Sequence, residues 1–150
     1  MSQACQIVSV APVLLAVTQA DVDRAAVSSR IRGMFDIVYS WKKSAGVQQV
    51  GHNHAVYDRC LNQRLRMQVG FPVSAPFADT ELVKCVELAA GRAAHATHAG
   101  SYARMHVTYE TLATWCREEA LSLSGESWEV YGDWHDDPAC LTTDIYLRLR

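Results

Sequence analysis

Residues 30–57 read again, without a gap, as residues 104–131. Five of the superposed pairs are identical: Arg30/Arg104, Trp41/Trp115, Gly51/Gly125, Val56/Val130 and Tyr57/Tyr131. Six more are chemically alike: Ile31/Met105, Phe35/Tyr109, Asp36/Glu110, Val38/Leu112, Ser40/Thr114 and Lys43/Arg117. Self-similarity at a fixed offset means that one supersecondary unit is used twice. Two copies of a unit meet at a seam, a common setting for a ligand pocket. One difference between the copies stands out. Ala55 in the first becomes Glu129 in the second, between Trp128 and Tyr131, so a carboxylate flanked by aromatics is present in one half only.

Each copy carries a helical period. Tyr102, Met105, Tyr109, Leu112 and Cys116 recur at steps of three and four and predict a helix over about residues 101–121. Ser101, after Gly100, is placed to cap its N-terminus. Val27, Ile31, Met34, Val38 and Trp41 predict the matching helix in the first copy, ended by Gly46. Strand signals surround the helices. Residues 6–18 are rich in β-branched side chains, with Pro12 marking an edge or bulge. Residues 52–58 and 64–73 predict a hairpin, and residues 82–88 and 92–98 another, turned by Ala89-Ala90-Gly91. Residues 127–134 and 141–149 close the chain around Asp136-Asp137-Pro138. The expected fold is α+β: two β-α-β-β modules with mainly antiparallel sheets and a ligand groove at the module seam. Within one domain over residues 1–150, module one covers about residues 5–75 and module two about residues 80–150.

Composition narrows the function classes. Hydrophobic residues are 49% and charged residues 20% of the chain, and the net charge is −2, so no basic footprint for nucleic acid or a membrane surface exists. The opening residues lack a charged, apolar signal sequence, and the longest apolar stretch is too short to span a bilayer. Five cysteines (Cys5, Cys60, Cys85, Cys116, Cys140) without short paired spacing argue against disulfides and zinc knuckles and for small core residues, with the cytoplasm as the expected location. His52 and His54 share a predicted strand face, and His95 and His98 flank a predicted turn. Neither pair has further ligands at a recognisable spacing, so no metal and no cofactor are expected.

Glu129 is the residue most open to a chemical reading. On an extended strand it points with Tyr131, away from Trp128 and Val130. It either faces water, pairs with Arg92 or Arg104, or lines an apolar seam. In an apolar seam an ionised carboxylate costs several kcal/mol unless compensated. A cationic ligand is one such compensation, and surrounding rings add roughly 0.5–2 kcal/mol of cation–π attraction per good contact.

Several motifs lie in a family order: Gly91-Arg92; His98-Ala99-Gly100-Ser101-Tyr102; a helix ending near Trp115; Ser127-Trp128-Glu129-Val130-Tyr131; and the closing Thr142-Thr143-Asp144-Ile145-Tyr146-Leu147. Together they resemble the GyrI-like small-molecule-binding domain, also the effector-binding module of AraC- and MerR-type multidrug-sensing regulators. The resemblance is best over about residues 69–150. It implies two β-α-β-β modules in pseudo-two-fold relation, with a groove for flat, hydrophobic, often cationic molecules. It implies that Glu129 and Tyr102 belong to that groove. The chain departs from the family at Ser101, where proline is frequent, which leaves the helix start less rigid.

Around these two residues, Tyr131 and its repeat partner Tyr57 are candidate ligand-binding residues, and Met34, Tyr39 and His106 are candidates that helix-to-sheet packing explains as well. Trp41 and Trp115 are expected in the core. The leading reading is a stand-alone, non-enzymatic binding protein for hydrophobic cationic or planar aromatic small molecules, with no room for a DNA-binding helix-turn-helix. The second is a hydrolase of strained-ring planar genotoxins using Glu129 as general acid or base. The third is a protein-interaction role of the gyrase-inhibitor kind, for which no apolar docking patch is visible.

Overall fold

The structure, a computed structural model, describes residues 4–59 and 64–150; Cys60 and the first three residues of the opening segment lie outside them. In chain order the elements are β1 (Gln6–Val10), β2 (Val13–Asp23), α1 (Val27–Ala45), β3 (His54–Arg59), β4 (Arg64–Pro72), β5 (Lys84–Leu88), β6 (Gly91–Ala99), α2 (Met105–Glu118), β7 (Leu123–Tyr131) and β8 (Thr142–Leu149). The fold is α+β. Its β-α-β-β sequence occurs twice, as β2-α1-β3-β4 and β6-α2-β7-β8.

The chain forms two compact units, one of Pro12–Ala89 and one of Met1–Ala11 with Ala90–Arg150. In the first the strands run β3-β4-β2-β5, in the second β7-β8-β6-β1, all antiparallel. Equivalent strands of the repeat therefore occupy equivalent places, and each unit gains a fourth strand from beyond its own module. Residues 6–18 accordingly form two strands rather than one. Pro12 has no N–H to continue a ladder, so β1 ends before it and pairs with β6, while β2 pairs with β4 and β5. The hairpin expected from residues 82–88 and 92–98 is absent, because both strands take other partners. β5 adds to β2, and β6 is held between β8 and β1. A lone two-stranded ribbon buries little; extending a three-stranded sheet buries more.

Each helix lies on the strands of its own unit as its apolar stripe requires. Met105, Leu112 and Cys116 of α2 are buried, with Leu112 and Cys116 packed in one cluster with Ala94, Ala96 and Ile145. Val38 of α1 packs with Ala16, Phe71, Val73 and Val83, and Trp41 meets Phe77 with ring centroids 4.7 Å apart. Trp115 is partly buried against the α2 cluster. Of the described cysteines only Cys116 is a fully buried core residue; Cys5 and Cys85 are half-buried and Cys140 is exposed, because the turn around Asp137 holds it outside the sheet.

The repeat also fixes where the helices stop. Gly46, with φ 66°, follows α1 in the left-handed conformation and its N–H donates to the Lys42 carbonyl. The equivalent position after α2 is Ala120, which adopts φ 54°, and the Leu121 N–H reaches back to the Cys116 carbonyl at 2.9 Å. Only glycine takes this conformation without a clash at Cβ. The second copy thus keeps the geometry and bears a steric cost of about 1 kcal/mol. Ala120→Gly is expected to raise stability by about that amount in urea melts; a less stable variant would contradict the assigned helix stop.

His54, at the head of β3, is buried, and its Nδ1 lies 2.9 Å from the His52 carbonyl. Burial holds its pKa below the ordinary 6.5, against the raising effect of that carbonyl bond. The folded state therefore binds this proton less tightly than the unfolded chain does. Its contribution is complete above about pH 6.5 and falls as pH drops through that value towards the folded pKa. Parent stability should decline between pH 7.5 and 5.5 more steeply than that of His54→Gln. Parallel slopes in urea melts would contradict the burial.

Candidate functional site

In β7, Ser127, Glu129 and Tyr131 lie opposite Leu147, Ile145 and Thr143 of β8, on the face that carries α2. Strand alternation sends Trp128 to the other face. There it stacks on Tyr146 at 5.0 Å and 9°, under the Arg148 guanidinium at 4.8 Å. Arg148 is itself paired with Glu126 at 2.5 Å. The Trp128 ring is thus committed to packing, and Glu129 is turned inward.

Glu129 is only 6% exposed. Tyr109, from α2, donates its hydroxyl to Oε2 at 2.5 Å, and Tyr131 donates to Oε1 at 2.5 Å. Hydrogen bonds from two phenols to one carboxylate are charge-assisted, and each contributes about 1.5–3 kcal/mol against leaving the acid bare. Tyr102 meets Tyr131 edge to face, with centroids 5.6 Å apart and planes at 77°. Burial pushes the Tyr102 phenol pKa up, so near neutrality this ring is an uncharged phenol. Two phenols thus hold one buried acid, and a third ring, Tyr102, rests on one of them, all within a single compact unit.

The surroundings fix these groups. Ser101 Oγ accepts from the Ala103 N–H and caps the short 3-10 turn, residues 102–104, that leads into α2. His98 is buried, with Nε2 at 2.8 Å from the Ser101 carbonyl and Nδ1 at 2.6 Å from Thr108 Oγ1. A carbonyl only accepts, so Nε2 carries the proton; in the neutral ring Nδ1 then accepts from the Thr108 hydroxyl. His98 therefore ties the turn bearing Tyr102 to the helix bearing Tyr109. After Tyr131, the Gly132 N–H donates to the Thr142 carbonyl at 2.9 Å. A Cβ at Gly132 would sit 2.4 Å from Thr142 Oγ1 and 3.0 Å from its carbonyl oxygen, so glycine allows this close approach. His95 and His98 do not flank one turn. Both lie in β6, three residues apart and hence on opposite faces, and His95 bonds Asp144 at 2.9 Å. His52 does not share a strand face with His54, since it precedes β3.

Glu129, Tyr131 and Tyr102 are thus brought together. His106, on α2, is exposed with Nδ1 near the Ala103 carbonyl at 3.2 Å. Met34, Tyr39 and Tyr57 belong to the other unit. Met34 and Tyr57 are buried there; Tyr39 donates to Asn53 Oδ1 at 2.6 Å and stacks on Phe71 at 5.9 Å. A surface groove of about 560 Å³ in that unit, along Asp36, Ile37, Trp41, Glu81 and Leu82, contains none of these residues. Among the described residues no group of three or more His, Cys, Asp or Glu is placed to hold a metal ion, and no helix is long and apolar enough to cross a membrane.

Sequence reasoning missed Tyr109 as a site residue. The signal was in the repeat: Phe35 becomes Tyr109 in the same copy in which Ala55 becomes Glu129, so the hydroxyl and the carboxylate enter together.

The family profile of the GyrI-like small molecule binding domain matches residues 3–150. The chain belongs to this family. No curated protein sequence matches it. Among solved structures, the GyrI-like chain superposes on the C-terminal domain of EcmrR with TM-score 0.85 and 17% identity, covering 100% of this chain and 99% of that one. It spans 58% of the EcmrR chain in the complex with DNA, at TM-score 0.84 and 17% identity. It is similar to SAV2435 bound to tetraphenylphosphonium, at TM-score 0.74 and 13% identity over 98% of this chain and 94% of that one. A hydrolase from Listeria innocua follows at TM-score 0.64 and 12% identity, over 99% and 93%. At these identities the likeness is one of fold.

Tyr109→Phe keeps the ring and leaves Glu129 Oε2 without that donor in a buried place. Stability should fall by about 1–3 kcal/mol in urea melts; an unchanged midpoint would contradict the phenol–carboxylate bond.

Proposed function

We propose that Glu129, held by Tyr109 and Tyr131 and edged by Tyr102, is the recognition point of this small-molecule-binding domain for hydrophobic cations that carry aromatic or planar surface. The observation that carries this reading is the buried acid held by two tyrosine hydroxyls, with a third tyrosine ring against one of them. Phenol donors solvate a carboxylate without neutralising it. Its field therefore persists in surroundings of low polarity, where charge–charge attraction is least screened. A phenol that donates its proton to an anion also keeps an electron-rich ring, and such rings attract cations at their faces. A small, strongly hydrated cation would lose more hydration here than it regains. A bulky organic cation, already weakly hydrated, loses little and also buries apolar surface. The tetraphenylphosphonium carried by SAV2435, a protein of the same fold, is a cation of this kind.

Isothermal titration with rhodamine 6G tests the reading. The expected affinity is micromolar, on the order of −8 kcal/mol. Glu129→Gln should weaken the cationic dye by about 1–3 kcal/mol and leave a neutral aromatic of similar shape nearly unchanged. Mass spectrometry of the dye after incubation should return the starting compound. Equal affinity of parent and Glu129→Gln for the cation would remove Glu129 from the site, and a product mass would replace binding by hydrolysis.

A further inference from the structure

The β7–β8 connection, residues 132–141, carries a feature that the acid site does not use. Trp134 is 71% exposed, the highest value among the exposed large hydrophobic side chains. Leaving an indole in water forgoes the burial that makes tryptophan useful to a core. Its nitrogen has only a long contact, 3.4 Å, to Asp136 Oδ1 in the same loop.

The loop is anchored at both ends beside the tyrosines. It begins directly after Tyr131, at the Gly132 N–H bond to the Thr142 carbonyl. At its far end the Leu141 carbonyl accepts from the Gly100 N–H at 2.8 Å, two residues before Tyr102. Tyr102 and Tyr131 are themselves in edge contact. Trp134 is three residues beyond Tyr131, so their Cα atoms are about 11 Å apart at most. The second half of the loop is a tight turn, with Asp137 Oδ1 accepting from the Ala139 N–H at 3.0 Å and Pro138 setting its first residue. The half bearing Trp134 has no such turn. Asp133, Asp136 and Asp137 make the loop acidic, so it attracts the same sign of charge as Glu129 does.

We propose that Trp134 is a specificity-determining residue that contacts the ligand: its indole lies against the aromatic body of an organic cation whose positive centre is drawn to Glu129. The inference rests on the binding reading of Glu129 and adds a second contact to it. One contact supplies charge and the other a flat apolar face. Together they select cations with delocalised or aryl-bearing bodies over compact ones of equal charge.

Tetraphenylphosphonium is the probe, titrated into the parent, Trp134→Ala, Trp134→Phe and Glu129→Gln. Trp134 is exposed, so its variants should melt as the parent does. Trp134→Ala should bind about 3- to 30-fold more weakly, and Trp134→Phe should recover most of the loss. Saturating probe should protect parent tryptophan fluorescence from acrylamide, and that protection should shrink in Trp134→Phe even though the probe still binds. Affinity of Trp134→Ala within twofold of the parent, with Glu129→Gln weakened, would overturn the role of Trp134 and leave the acid site standing. No binding to the parent would overturn both. A concentration-dependent rise in oligomer size lost in Trp134→Ala, with unchanged probe affinity, would instead place Trp134 in an interface between copies and overturn the proposal.

Discussion

One buried charge sets the terms for this domain. A carboxylate that is 6% exposed is stable only where donors replace the water it has lost, and Tyr109 and Tyr131 replace part of it. That requirement reaches into the surrounding structure. Tyr109 must come from the sheet-facing side of α2, so the helix has to be fixed in rotation and along its axis. Leu112 and Cys116 fix it by packing on Ala94, Ala96 and Ile145, and His98 fixes its start through Thr108 and Ser101. Tyr131 must sit at the very end of β7, where Gly132 lets the chain approach Thr142.

The repeat explains how one fold accommodates such a charge in one half and not in the other. The units share strand order and helix stop, even where the second copy has to force Ala120 into a conformation better suited to Gly46. Against that constancy, Ala55 and Phe35 are replaced by Glu129 and Tyr109. A carboxylate without its phenol would be poorly solvated, and the hydroxyl without the carboxylate would lose its acceptor. The two changes make physical sense as a pair. Elsewhere the first copy keeps its rings for packing, as in the Tyr39–Phe71 stack under the Lys42 ammonium.

Much of this was legible in the chain because helical period and alternation are local signals. Both helices, the β3–β4 and β7–β8 pairs and the shared strand face of Glu129 and Tyr131 follow from them, whereas the direction of that face does not. Strand partnership is not local. Nothing in residues 6–18 shows that Pro12 divides them between two compact units, and the turn-like Ala89-Ala90-Gly91 does not reveal that the strands on either side find other partners. Tyr109 was hidden for a different reason. A tyrosine in an apolar helical stripe looks like a core residue, and its hydroxyl gains meaning only once the acid is placed opposite.

If the acid and its phenols act as one group, the most direct measurement is a double-mutant cycle on rhodamine 6G affinity with Tyr109→Phe, Glu129→Gln and the pair. The account predicts strong coupling. Tyr109→Phe should change cation affinity in the parent and have almost no effect once Glu129→Gln has removed the charge it orients. Additive losses, with Tyr109→Phe costing the same in both backgrounds, would show that the phenol contacts the ligand independently and that the clamped carboxylate is not the recognition point.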